Sequence, residues 1–233
     1  MRILGTVFLV LCSFVAAAQS GPPTLCKPCL FYGGDLNPDD PNAVAFANEN
    51  TLTTPYTYAY GAVTVPTNRT LLVEGILFQT VMQFDKFDPN GVYWEIRTSI
   101  YGTGGNLIAS GSRGVAVEPT GRQLNGVPEY TVAVRLVPAV QITGGSKYPG
   151  TTYWFNILPQ GTNKNDGICK IASYMVSNST QETNSLHSFA QPVDSIVLDS
   201  VPSLQDFVSC TAAGYTGSQC AFLSFGLMGR VLQ

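Results

Sequence analysis

Apolar side chains alternate with polar or small ones along several short stretches of the chain, and this pattern constrains the fold more than any other feature. One such stretch covers residues 131–136 and another covers residues 92–97. Successive side chains of a β-strand point to opposite faces of its sheet, so an alternation of period two predicts a strand with one buried face. Residues 72–78 and 151–158 are more continuously apolar, which is typical of strands covered on both faces. The chain is therefore predicted to consist largely of β-strands.

Turn-forming sequences separate these stretches. Residues 88–91, 102–106, 144–145 and 165–167 are rich in glycine, asparagine or both, which accept positive φ angles at little cost. Strands that recur about every 10 to 20 residues with such connections favour an all-β fold, a single antiparallel β-sandwich of jelly-roll or immunoglobulin-like type. We expect one short helix at most, within residues 41–50, with Asp40 as its N-cap.

The N-terminal residues have the pattern of an export signal. Arg2 precedes a mostly apolar run over residues 3–15, and the small side chains of residues 16–18 suit cleavage by signal peptidase. The run of about 13 residues is shorter than the roughly 20 that a membrane-spanning helix needs. The segment is therefore interpreted as a signal peptide that is removed.

The expected organisation is a signal peptide (residues 1–18), an N-terminal arm (residues 19–34) and a single β-sandwich domain (residues 35–233). No further apolar stretch approaches the length of a membrane span, so the mature protein is expected to have no transmembrane segment and to be secreted or periplasmic. Charged residues make up 12% of the sequence and the net charge is −3, without clusters of Lys and Arg. Nucleic acid is not an expected partner, because phosphate binding needs such clusters.

Five cysteines remain after the expected cleavage: Cys26, Cys29, Cys169, Cys210 and Cys220. Disulfide bonds are expected because exported chains meet oxidising conditions. Cys210 and Cys220 flank a glycine-rich loop and are candidates for a short-range bond. Either Cys26 or Cys29 is a candidate partner for Cys169, and a local Cys26–Cys29 bond is the alternative; the odd number leaves one thiol over. The Cys-x-x-Cys spacing lacks the helical context of a redox pair and the further ligands of a zinc site, so we interpret it as structural.

An acidic segment is the candidate metal site. Asp35, Asn37 and Asp39 place oxygen ligands at alternate positions, as at the start of a calcium-binding loop. The sixth position is Asp40 instead of glycine and the twelfth is Phe46 instead of glutamate, which excludes a complete EF-hand loop. Two interpretations remain: a partial structural calcium site completed by distant residues, and a solvated turn that leads into the short helix. No other cofactor is expected.

A row of tyrosines is the candidate ligand-binding feature. Tyr56, Tyr58 and Tyr60 occupy every second position, so in a strand their three rings would project from one face. Such a row would form a stacking platform for sugar rings, with hydroxyl groups available for hydrogen bonds. The alternative is that the rings cover a sheet edge or pack half-buried.

Catalytic motifs are sparse. The sole histidine, His187, has no Gly-x-Ser-x-Gly nucleophile elbow before it, so no catalytic triad is indicated. A glycosidase needs only two carboxylates, roughly 5 to 10 Å apart, and several acidic residues are available: Asp85, Asp88, Glu95, Glu118 and Glu129. The leading hypothesis is a secreted non-catalytic binding or surface-matrix module that recognises extracellular carbohydrate. The alternative is a secreted polysaccharide-acting hydrolase of the β-sandwich class.

A set of short motifs lies between residues 31 and 158. In chain order they are Phe31-Tyr-Gly-Gly-Asp35, Asn37-Pro38, Ala47-Asn-Glu-Asn50, Tyr93-Trp-Glu-Ile-Arg97, Gly104-Gly-Asn-Leu-Ile-Ala-Ser-Gly111, Pro119-Thr-Gly-Arg122 and Tyr153-Trp154. In these motifs the chain resembles a loose group of bacterial exported β-sandwich proteins, whose members often carry a PEP-CTERM sorting tail. The resemblance implies a β-sandwich and brings no catalytic residues. The sequence lacks the sorting tail, which favours release over surface anchoring.

Overall fold

The computed structural model describes residues 25–36, 45–47, 58–83, 86–99, 105–162, 172–176, 191–192, 196–198, 207–209 and 223–232. Within these ranges the chain forms fourteen β-strands and no helix. The strands are β1 (Cys29–Tyr32), β2 (Ala45–Ala47), β3 (Tyr58–Pro66), β4 (Thr70–Gln83), β5 (Lys86–Thr98), β6 (Asn106–Arg113), β7 (Val115–Leu124), β8 (Val127–Thr143), β9 (Gly150–Thr162), β10 (Ala172–Val176), β11 (Gln191–Pro192), β12 (Ile196–Leu198), β13 (Phe207–Ser209) and β14 (Phe225–Val231).

The strands form two seven-stranded sheets, and within each sheet every strand pairing is antiparallel. The first sheet has the order β1-β14-β4-β10-β2, and β8 pairs with both β4 and β7. The second sheet has the order β13-β12-β3-β9-β5-β6, and β11 also pairs with β3. This arrangement confirms the predicted all-β, sandwich-like fold. In the part of the chain that the structure describes, no helix has the length and apolarity that crossing a membrane requires.

The inner faces of the two sheets meet at a cluster of phenylalanine rings. Phe225 of β14 lies at the centre of this cluster. Its ring centroid is 5.1 Å from that of Phe31 and 5.3 Å from that of Phe78, both in the first sheet. It is 6.3 Å from the ring centroid of Phe155 in the second sheet. Phe225 therefore links the two sheets through buried apolar contacts, which are the main favourable contribution to folding.

Gly61 of β3 leaves the space into which the Phe225 ring packs. A Cβ atom at this position would lie 2.6 Å from Cδ1 of Phe225, well inside van der Waals contact. Gly61→Ala is therefore expected to lower the free energy of unfolding by about 1–3 kcal/mol, the usual cost of overpacking a core. Urea-induced unfolding measures this change. In a Phe225→Leu background the added methyl group should cost less, and an equal cost in both backgrounds would rule out the clash.

The alternating stretches are strands, as predicted, but their second faces are covered more than the pattern suggests: in β8 Thr131 and Ala133 are buried, and Arg135 is exposed. In β8 the apolar positions of the alternation, Val132, Val134 and Leu136, face the core. In β5 the polar positions are also buried: Glu95 is 2% exposed and Arg97 is 9% exposed. The outer face of the second sheet is thus covered where the sequence pattern predicted a solvated face.

The turn predicted at residues 88–91 is wrong. β5 continues through these residues, and its register with β9 shifts there: Phe87 lies opposite Gly161, whereas Val92 lies opposite Pro159. The extra residues form a bulge within the strand. A bulge satisfies the same local backbone preferences as a turn, so turn-forming residues alone do not distinguish the two.

The prediction of a short helix within residues 41–50 is wrong for the part of this segment that the structure describes. Residues 45–47 form β2, which pairs with β10 at the edge of the first sheet. The hydrogen bonds of this pairing outweigh a weak local preference for a helical turn. The rest of the segment lies outside the described residues.

Part of the expected N-terminal arm belongs to the first sheet. β1 (Cys29–Tyr32) pairs antiparallel with β14. Leu30 and Phe31 of this strand are buried in the core between the sheets. The N-terminal region is thus attached to the sandwich by strand pairing and by apolar packing.

Cys26 and Cys29 are joined by a disulfide bond. This is the local pairing that the sequence left open, and it means that neither sulfur bonds to Cys169. Cys29 is the first residue of a β-strand rather than of a helix, which fits a structural bond and not a redox site. Cys169, Cys210 and Cys220 lie outside the described residues.

Candidate functional site

The predicted tyrosine row does not lie on the surface where the structure describes it. Tyr60 is 0% exposed, and its hydroxyl group donates a hydrogen bond to Glu95. The prediction of an exposed stacking platform is wrong for Tyr60, because both faces of β3 are buried. Tyr56 and the side chain of Tyr58 lie outside the described residues.

Tyr60 belongs to a buried group on the outer face of the second sheet, the Glu95 cluster, which consists of Tyr60, Tyr93, Glu95 and Arg97. Arg97 binds both carboxylate oxygens of Glu95, with Nε 2.9 Å from Oε1 and Nη2 3.1 Å from Oε2. The Tyr93 hydroxyl donates to Oε2 of Glu95 at 2.9 Å. Burial and the charge of Glu95 raise the pKa of Tyr93, so its hydroxyl stays protonated as a donor. With four hydrogen bonds to one carboxylate, the cluster is a satisfied structural network.

A second buried group lies on the outer face of the first sheet, the Arg122 cluster, which consists of Tyr32, Asp35, Thr120, Arg122 and Glu129. Arg122 bridges the two acids: Nη2 is 2.9 Å from Oδ1 of Asp35, and Nε is 2.6 Å from Oε2 of Glu129. The Tyr32 hydroxyl donates to Oδ1 of Asp35 at 2.5 Å. The Thr120 hydroxyl donates to Oε2 of Glu129 at 2.6 Å. One guanidinium therefore forms ion pairs with two carboxylates at once.

The turn between β7 and β8 brings Arg122 next to Glu129. Asn125 and Gly126 form a two-residue hairpin loop with φ angles of 51° and 80°. This is the geometry that Asn-Gly favours between antiparallel strands. The residues on either side of the loop pair in register. Arg122 and Glu129 are the next residues outward along β7 and β8, so they lie close together on neighbouring strands. The Asn-Gly pair is the sequence signal from which this contact could have been found.

Glu129 is a fully buried member of the Arg122 cluster, with 0% of its side chain exposed. Burial raises the pKa of its carboxyl group, against the opposing effects of the Arg122 charge and of the hydrogen bond from Thr120. Its Oε1 atom has no hydrogen-bond partner among the described residues. Because a buried carboxylate without compensation is costly, Glu129 depends on the positive charge of Arg122.

Of the predicted calcium ligands, the structure describes Asp35 alone, and Asn37 and Asp39 lie outside the described residues. Oδ1 of Asp35 accepts hydrogen bonds from Tyr32 and Arg122, so a guanidinium already lies where a cation would bind this oxygen. In the described segments no group of three or more His, Cys, Asp or Glu side chains is placed to hold a metal ion. The calcium site stays a prediction.

The two clusters do not have the geometry of a glycosidase site. A glycosidase holds the scissile bond between its two carboxyl groups, but here Arg122 lies between the carboxylates of Asp35 and Glu129. The carboxylate of Glu95 is engaged by Arg97 and two tyrosine hydroxyls. His187 lies outside the described residues. The carboxylates of both clusters are therefore held in ion pairs with arginine.

A cavity of about 210 Å³ lies between the disulfide loop and the outer face of the first sheet, and we call it the loop cavity. Its apolar lining consists of Leu25, Ala116, Ala133 and Met228. Ala133 and Met228 belong to a buried cluster that also contains Leu77. The floor of the loop cavity is thus continuous with packed apolar side chains of β4, β8 and β14.

Two cationic side chains, Lys27 and Arg135, also line the loop cavity. Nη2 of Arg135 donates a hydrogen bond to the backbone carbonyl oxygen of Lys27 at 2.5 Å, which holds the guanidinium against the disulfide loop. Both residues are exposed, and neither has an ion-pair partner in the described part of the chain, in contrast to Arg97 and Arg122. An apolar floor beside two cations without ion-pair partners among the described residues suits a small ligand with an anionic group.

Sequence reasoning did not identify Lys27 and Arg135. Lys27 is visible as the charged residue of the Cys-x-x-Cys loop, and Arg135 is visible as a polar position in the alternation of β8. Their proximity depends on the strand order β1-β14-β4-β8, which no local pattern contains.

No protein-family model, curated protein or solved structure matches the chain.

Proposed function

We propose that this protein is a non-catalytic binding module that acts after export, in the periplasm or outside the cell, and that its ligand binds in the loop cavity. The observation that carries the proposal is the composition of this cavity, which combines an apolar floor with two cations that lack ion-pair partners among the described residues. The buried acids support a role without catalysis, because Glu95 and Glu129 are engaged in ion pairs.

Carbohydrate is the ligand class that we propose. A sugar ring has an apolar face of C–H groups and an edge of polar groups, and the loop cavity offers an apolar floor and hydrogen-bond donors at its rim. The Cys26–Cys29 bond supports export, since disulfides persist in oxidising compartments. The signal-like N-terminus and the resemblance to exported β-sandwich proteins support the same location.

Ala116→Phe tests this proposal. Ala116 is exposed and lines the loop cavity, so a larger side chain fills the cavity without entering the core. We expect the affinity for the oligosaccharide that binds wild type best to fall about tenfold or more, equivalent to about 1.4 kcal/mol. Isothermal titration calorimetry with a panel of neutral and acidic oligosaccharides measures it.

Gln123→Phe is the matched control, because Gln123 is an exposed residue of the same strand and does not line the cavity. It should bind as wild type does. If Ala116→Phe also bound as wild type does, the ligand would lie elsewhere on the protein. If wild type bound no member of the panel, the carbohydrate proposal would be wrong.

A further inference from the structure

We infer that the loop cavity binds a carboxylate group of its ligand between Lys27 and Arg135, with the uncharged part of the ligand against Ala133 and Met228. This inference rests on the proposed binding function and specifies its ligand. If the ligand is a carbohydrate, it is an acidic one with a uronic acid unit. A free small carboxylic acid has the same chemistry.

Arg135 supplies the first group for a carboxylate. A guanidinium has five N–H donors in one plane, which matches the two oxygens of a carboxylate. The hydrogen bond to the Lys27 carbonyl is made by Nη2, and the side chain is otherwise exposed. The remaining donors are therefore available to a ligand. Because this bond already orients the side chain, binding costs less conformational entropy.

Lys27 supplies the second positive charge from a loop whose backbone is held at several points. The disulfide bond between Cys26 and Cys29 closes the loop around Lys27. The Lys27 amide donates to the carbonyl of Leu25 at 2.9 Å. The amide of Gly229 donates to the carbonyl of Pro28 at 2.9 Å, which fastens the loop to the end of β14. The ammonium group therefore extends from a fixed backbone beside Arg135.

The floor of the cavity limits the size and nature of the bound unit. Both Ala133, which is 6% exposed, and Met228, which is 1% exposed, line the cavity and are held in place by packing. A volume of about 210 Å³ is below the roughly 300 Å³ at which sites for drug-sized ligands begin. The cavity therefore fits one small unit, such as a single sugar residue that carries a carboxylate.

The test compares charge-removing variants inside and outside the cavity. Lys27→Gln and Arg135→Gln remove the two proposed carboxylate partners. Lys147→Gln and Arg113→Gln are matched controls: both residues are exposed, and Arg113 also donates Nη2 to a backbone carbonyl, that of Val137, at 2.8 Å. Arg135→Lys keeps the charge and removes the planar set of donors. Thermal unfolding of each variant checks that the fold is retained.

The probes are trigalacturonate, its fully methyl-esterified form and butyrate, titrated by calorimetry at low salt. We expect Lys27→Gln and Arg135→Gln each to weaken the binding of trigalacturonate about tenfold, the usual range for a hydrogen bond to a charged group. The ester has the same sugar chain without the carboxylate charges, and its affinity for wild type should be lower by a factor of about ten or more. The two control variants should change the affinity less than about twofold.

The outcomes distinguish the carboxylate inference from the proposal that the ligand is a carbohydrate. Equal binding of the acid and the ester, or unchanged affinity in Lys27→Gln and Arg135→Gln, would overturn the carboxylate inference and leave carbohydrate binding intact. Butyrate that binds as tightly as trigalacturonate, with the same dependence on Arg135, would support the carboxylate site and contradict carbohydrate as the ligand. Failure of both acids to bind would overturn the carboxylate inference.

Discussion

Replacing Arg122 with methionine is expected to lower the free energy of unfolding by about 3–5 kcal/mol. The substitution keeps an apolar stem of similar length but leaves Glu129 and Asp35 without their shared cation. Glu129 has a fully buried side chain, and Asp35 is only 14% exposed, so water cannot replace the lost charge. Urea-induced unfolding near neutral pH measures the loss.

This loss should depend on pH in a defined direction. In wild type the Arg122 charge opposes the effect of burial on Glu129, so its removal should raise the pKa of this carboxyl group further. A raised pKa in the folded state favours folding at low pH: stability is gained as the pH falls through the raised value, and the gain is complete below the ordinary value of 4.5. The deficit of Arg122→Met should therefore shrink as the pH falls, and adding Glu129→Gln should recover part of it at neutral pH.

Arg230→Met is the control for Arg122→Met. Arg230 lies 3.8 Å from Glu74, and its side chain is 66% exposed. Its removal should cost less than about 1 kcal/mol, because exposed ion pairs contribute little. Similar losses in the two variants, or a loss in Arg122→Met that does not change with pH, would contradict the role given to the buried charge.

Replacing Phe225 with alanine is expected to cost about 3–5 kcal/mol, the usual cost of removing a buried phenylalanine ring. Phe225 is 3% exposed and its ring contacts phenylalanines of both sheets, so its loss leaves a cavity at their interface. Tyr148→Ala is the control, since Tyr148 is 90% exposed and its removal should change stability by less than about 0.5 kcal/mol. A loss below about 1 kcal/mol for Phe225→Ala would mean that the two sheets do not pack around this ring.

Features of the fold that depend on neighbouring residues could be predicted from the sequence. The strands around Val132 and Trp94 follow from a period of two, which is a property of the extended backbone itself. The connection at residues 144–145 follows from glycine, and Gly145 has a φ angle of 67°. The bulge in β5 could not be predicted in this way, because its residues have turn preferences and the alignment of β5 with β9 decides the outcome.

The candidate site depends on contacts between distant parts of the chain, and for this reason the sequence did not predict it. The sequence pattern allows Tyr60 to be exposed, but whether the second face of a strand is covered depends on the packing of the whole chain. Asp35 reaches Arg122 across 87 positions of the sequence, and Lys27 reaches Arg135 across 108. The Arg122–Glu129 contact, which a two-residue hairpin loop creates, has a local signal, and so do the contacts of Glu95 with residues two positions away on its own strand.

Ligand binding in the loop cavity is tested most directly by NMR of protein whose alanine and methionine methyl groups are labelled with carbon-13. During a titration with trigalacturonate, we predict shifts in the signals of Ala116, Ala133 and Met228, which line the cavity. The signal of Ala62, which is buried in the second sheet, should not move. Cavity methyl signals that stay in place at saturating ligand would contradict binding in the loop cavity.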